Sequence, residues 1–176
     1  AYDAADTESN NLAIGVNALG GAVAGGEFNV AIGNTSLDAL TSGDYNTAVG
    51  YGAGTDLTSG ERNTFIGHEA GKDCIGGGQN VAIGDNAGGG ALSTAAGRNI
   101  MIGRNAGAAV TSGDSSVYIG FEAGKLITIA SDNVAIGTGA LDAAVVERRN
   151  VAIGRNALSA HRTTASTVND TGNTAV

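Results

Sequence analysis

The residues in this chain able to do chemistry are few and scattered. His68 and His161 are the only histidines and Cys74 is the only cysteine. A zinc or iron site needs three or four such ligands converging. Neither histidine has a cysteine or a second carboxylate recurring beside it, so no metal site is expected. Glu69 stands three residues before Lys72, and Glu122 three before Lys125. That spacing suits a row of solvated ion pairs better than an acid–base pair. Asp44, Glu61 and Asp114 each follow a Thr-Ser-Gly turn. They offer carboxylates for calcium, but the Gly-Gly-x-Gly-x-Asp pattern of calcium-binding β-rolls is missing. "GYGAGTDLTSG" at 50–60 contains a Gly-x-Gly-x-Gly run, yet no long helical pattern follows it, as a dinucleotide loop requires. Lone Cys74 has no partner for an intrachain disulfide. No catalytic residue, no cofactor and no metal is therefore expected.

What repeats is an architecture. Asn11, Asn29, Asn46, Asn63, Asn80, Asn99, Ser116, Asn133 and Asn150 each open a copy of one phrase, and a partial tenth begins at Asn173. The usual step is 17 residues. A fixed period of this kind decides the fold before any local reading does. With the Asn as position one, position five is glycine in every copy: Gly15, Gly33, Gly50, Gly67, Gly84, Gly103, Gly120, Gly137 and Gly154. Position four is β-branched in every copy: Ile14, Ile32, Val49, Ile66, Ile83, Ile102, Ile119, Ile136 and Ile153.

Each repeat thus reads as a four-residue strand stopped by a glycine, since β-branched residues favour strands and glycine tolerates positive φ. A second apolar position near twelve (Leu40, Leu57, Cys74, Val110, Ile127, with Leu92 displaced by one) predicts a second short strand before the next turn. The fold class predicted is all-β, a parallel β-roll or β-solenoid of about nine coils. At about 4.8 Å per coil it makes a rod on the order of 45 Å long. Stacked coils align Asn over Asn, so Asn11, Asn29, Asn46, Asn63, Asn80, Asn99, Asn133 and Asn150 are expected to bond along the rod.

Strand side chains alternate, so positions two and four share one face and position three the other. The position-four residues are expected inside the coil, so Ile83→Asp should be costly and Asp85→Ala cheap. Position three is also small or apolar (Ala13, Ala31, Ala48, Phe65, Ala82, Met101, Tyr118, Ala135, Ala152). With both strand faces apolar, one must be covered by a neighbour, most simply another copy of the chain.

The composition agrees: 30 glycines, no proline, no tryptophan, 42% hydrophobic residues and a net charge of −8. Regular apolar spacing argues against disorder. The acidic balance argues against a nucleic-acid partner, and no run approaches the ~20 apolar residues of a membrane span. The opening Ala1-Tyr2-Asp3-Ala4-Ala5-Asp6 is not a signal peptide. The chain divides into a partial coil at 1–10, the repeat array at 11–158, and an irregular insertion with the start of a further repeat at 159–176. An incomplete coil at each end is expected where a fragment is cut from a longer fibre. Head-to-tail stacking into a filament is the alternative.

The phrase Asn-Val-Ala-Ile-Gly-x-x-Ala, followed by Thr-Ser-Gly and a new Asn-Thr-Ala-Val-Gly, resembles the repeats of bacteriophage tail fibres. Such repeats often precede a self-cleaving chaperone domain of the endosialidase type. It is also similar to the repeats in trimeric autotransporter adhesin heads, whose period is shorter and whose fold is a left-handed parallel β-roll packed as a trimer. The resemblance runs almost continuously over 11–158. It implies a non-enzymatic homotrimeric fibre segment, outside the cell or on a virion, that supports surface attachment. The rivals are a subunit of a polymeric filament and a carbohydrate-binding module that uses Tyr51, Tyr118 or Phe121 against a cell-surface glycan.

Overall fold

The computed structural model describes residues 10–21, 25–90, 92–93, 96–129, 131–143, 147–159, 169–170 and 172–176. His161 and most of the insertion at 159–172 lie outside them. Among the described residues there is no helix, and none is therefore long and apolar enough to cross a membrane. The strands are β1 (Leu12–Ile14), β2 (Val30–Ile32), β3 (Thr47–Val49), β4 (Thr64–Ile66), β5 (Val81–Ile83), β6 (Ile100–Ile102), β7 (Val117–Ile119), β8 (Val134–Ile136), β9 (Glu147–Arg148), β10 (Val151–Ile153), β11 (Asn169–Asp170) and β12 (Thr174–Ala175).

β1 to β8, β10 and β12 form one parallel ten-stranded sheet in chain order, so the chain is a β-solenoid. β9 and β11 pair separately. The register is set by the repeat: Val30 pairs with Thr47, Ala31 with Ala48, Ile32 with Val49, and so on up the stack. Across the step of 19 residues between β5 and β6 the register still holds, with Ala82 opposite Met101. Most coils carry one strand of three residues rather than the two strands expected; among the described residues only the last two full coils add a second, the two-residue β9 and β11. Around position twelve the backbone is turn, yet it still bonds to the next coil, as in Ala39 N to Thr55 O at 2.9 Å and Thr41 N to Thr58 O at 2.9 Å.

The structure reverses the two strand faces. Position three is the interior: Ala31, Ala48, Phe65, Ala82, Met101, Tyr118, Ala135 and Ala152 are fully buried. The position-four residues expected inside face outward. Ile14, Ile66, Ile136 and Ile153 are exposed, and Ile32, Val49, Ile83, Ile102 and Ile119 are half-buried. The physical reason is volume. Alanine or serine at position eight (Ala18, Ser36, Ala53, Ala70, Ala87, Ala106, Ala123, Ala140) and the apolar residue near position twelve share the same narrow lumen. Alanine fits there directly, and the larger Phe65, Met101 and Tyr118 stand in coils whose position nine is glycine. Tyr118, expected as a surface platform, is in that lumen as well.

Where position three is large, position nine gives way. It is Leu19, Leu37, Leu141 and Leu158 in coils with alanine at three, but Gly54, Gly71, Gly88, Gly107 and Gly124 around the large residues. A Cβ on Gly71 would lie 2.6 Å from the Phe65 ring, and one on Gly88 would lie 2.9 Å from Met101. One large residue thus fills its own coil and the one before it.

The glycine at position five has φ between +117 and +139 in all nine copies. In every copy except Gly154 a side chain there would meet the next coil: a Cβ on Gly103 would lie 2.6 Å from the Gly120 carbonyl oxygen. The asparagines form a buried ladder that does two jobs. Asn46 Oδ1 accepts from Asn63 N at 3.0 Å and from Asn63 Nδ2 at 3.1 Å, tying coil to coil. Asn46 Nδ2 also donates to Gly60 O at 2.8 Å, closing its own coil. The arrangement recurs along the array, with Asn11 Oδ1 accepting from Asn29 N and Asn80 Oδ1 from Asn99 N. Asn133 Oδ1 accepts from Asn150 N in the same way. At Ser116 the hydroxyl takes over, accepting from Asn133 N at 3.1 Å.

Candidate functional surface

Three surface features arise from this stack. The first is the outer face of the sheet, made by positions two and four. It carries Leu12, Val30, Thr47, Thr64, Val81, Ile100, Val117, Val134 and Val151 in one column and the position-four residues in the other. No member of either column is charged. A strip on the order of 45 Å long therefore shows only β-branched and leucine side chains.

The second feature is a pair of ridges beside that strip. Residues just before the second to ninth repeats (Phe28, Tyr45, Arg62, Gln79, Arg98, Ser115, Asp132 and Arg149) have φ between +55 and +60, although none is glycine. Stacking brings Phe28 and Tyr45 to 5.0 Å between ring centroids with planes 2° apart, and Arg62 lies 5.3 Å over Tyr45. On the other flank position six builds a chain of contacts. Tyr51 stacks on His68 at 5.5 Å, His68 Nδ1 lies 3.3 Å from Asp85 Oδ1, and Arg104 Nε lies 3.7 Å from Asp85. Arg104 in turn lies 5.8 Å over Phe121. Such exposed pairs contribute little individually.

The third is a groove of about 320 Å3 lined by Tyr51, Gly52, Asp56, Glu69, Lys72 and Asp73 among others. Lys72 Nζ lies 3.0 Å from Glu69 Oε2. That hydrogen bond and the Glu69 charge raise the lysine pKa. Lys125 pairs with Glu122 in the same way at 2.8 Å, and the hydrogen bond lowers the Glu122 pKa. Glu69 and Glu122 do not form one row, because Asn86 and Asn105 occupy the rungs between them.

Asp44, Glu61 and Asp114 each have a partner of their own. Asp44 accepts from Glu27 N at 2.8 Å, Glu61 pairs with Arg62, and Asp114 pairs with Arg98. Among the described residues no three His, Cys, Asp or Glu side chains gather as a metal would need. Cys74 is buried, and burial pushes its thiol up to about 12, the opposite of a reactive thiolate. The Gly50, Gly52 and Gly54 run makes a turn, not a phosphate loop. The sequence did not signal the groove, because its floor is a glycine that reads as one more turn residue.

No protein-family model matches the chain, and no curated protein and no solved structure matches it either.

Proposed function

We propose that the chain is a non-enzymatic structural segment of an extracellular fibre, built from three identical copies in a phage tail fibre or an adhesin-like appendage. The observation that carries this reading is the uncharged apolar outer face. In a chain with net charge −8, nine coils keep eighteen consecutive outward strand positions (nine coils, two positions each) free of charge. An apolar patch that size on a lone surface marks an interaction site. A second copy lying parallel offers a strip of matching length and spacing, and a closed ring of copies leaves none exposed. Function would then be mechanical: main-chain bonds along each rod and packing between rods give stiffness, with attachment as the purpose.

Two substitutions on neighbouring residues separate the faces. Ala82 is fully buried and Ile83 half-buried on the outer face. Ala82→Asp places an unpaired charge in the lumen and should cost several kcal/mol, enough to lose the strand signal by circular dichroism. Ile83→Asp should leave the coil folded but reduce the assembly's mass by sedimentation. An Ile83→Asp protein with the wild-type assembly mass would contradict the reading.

A further inference from the structure

The ladder at position seven has one open rung. This position is left-handed in every coil, with Asn in four copies (Asn17, Asn86, Asn105, Asn156), Thr35 and two glutamates. Two coils have glycine instead, Gly52 and Gly139. At Gly139 the space is taken: Asn156 Oδ1 lies 2.6 Å from where a Cβ would stand. At Gly52 the nearest atoms are Thr55 Oγ1 at 3.4 Å and Glu69 Cγ at 3.5 Å, and the notch opens into the 320 Å3 groove.

The walls of that groove are specific. Tyr51 forms one side, its ring oriented by stacking on His68 while the residue remains 56% exposed. Asp56 and Asp73, one coil apart, line the groove beside the Glu69–Lys72 pair. Neither aspartate carboxylate accepts a hydrogen bond from a described residue. The groove thus presents free acceptors, one ammonium donor and an aromatic ring.

We infer that this groove binds a neutral saccharide unit, with a sugar C–H face against Tyr51 and vicinal hydroxyls donating to Asp56 and Asp73. Three carboxylates against one ammonium repel acidic sugars. Lys72 is paired with Glu69, and hydroxyl donors suit the unbonded carboxylates of Asp56 and Asp73. The volume lies at the low end of ligand pockets, roughly 300–1,000 Å3, which suits one or two sugar rings. A single sugar ring in a shallow, solvent-open site is expected to bind with a dissociation constant of about 1 mM. This site goes beyond the fibre reading and stands or falls separately from it.

The test is ligand-observed NMR on the full chain with glucose, galactose, mannose and N-acetylglucosamine, with glucuronic acid and cadaverine as the acidic and cationic probes. Two variants accompany it. Gly52→Asn fills the notch with the residue the ladder uses four times in the same backbone conformation. Tyr51→Thr copies Thr138, which holds that place in another coil. The expected result is about millimolar binding of at least one neutral sugar, weakened about tenfold or more by each variant while circular dichroism is unchanged. The inference is overturned if no neutral sugar binds below about 100 mM, about a hundred times the expected constant. It is equally overturned if either variant binds as well as the wild type, or if cadaverine or glucuronic acid binds more tightly than every neutral sugar.

Discussion

Tyr118 shows how individual residues are held in this lumen. Its hydroxyl is fully buried without a hydrogen bond. Burial pushes its pKa from the usual 10 up to about 12. Ser116 is the one place where the array lacks its asparagine, and the shorter side chain stands in the coil that holds the tyrosine. An unpaired buried hydroxyl costs about 1–3 kcal/mol, so Tyr118→Phe should stabilise the protein by an amount of that order. The pH dependence follows from the raised pKa. Below pH 10 the tyrosine is neutral folded or unfolded, so its contribution is complete. Between pH 10 and about 12 only the unfolded chain ionises, so stability falls as pH rises. Thermal melts at pH 8, 10 and 11.5 should show a smaller alkaline decline for Tyr118→Phe. An identical decline would mean the ring is not held as described.

At the scale of the coil, what was legible in the residues and what was not divide along one line. Features that recur as one residue type were legible: the period, the glycine at five and the asparagine at one. Their geometry forces the type, because only glycine accepts φ near +130 with a neighbouring carbonyl so close, and a buried amide bonds in both directions. The strand faces were misread because both are apolar, and alternation alone does not say which face is inside. Volume decides that, and it is a property of the closed coil. The left-handed residues before each asparagine were invisible, since Phe28, Arg62 and Asp132 share no type. Left-handed backbone costs such residues about 1–2 kcal/mol each, a strain offset by bonds to adjacent coils, as in Arg62 N to Asp44 O at 2.9 Å. The matching of positions three and nine yields a sharper prediction. Phe65→Ala should cost about 3–5 kcal/mol by emptying two coils. Adding Gly71→Leu, the residue other coils use there, should restore part of that loss. Denaturant unfolding of both single variants and the double would show this as a favourable coupling, and purely additive losses would refute it.

For the whole molecule, the rod satisfies its backbone along the axis but leaves one side apolar. The proposed lateral packing of copies would cover that side without changing any coil, so the fold within the chain does not depend on the packing between chains. The groove at Tyr51 belongs to the flank, where the position-six ridge meets the open rung at Gly52. The mass of the purified chain in native conditions, followed on dilution, tests the lateral packing most directly. A species of three times the 17.1 kDa chain mass that persists to low concentration is expected. A stable 17.1 kDa monomer with its outer face open to water would contradict it.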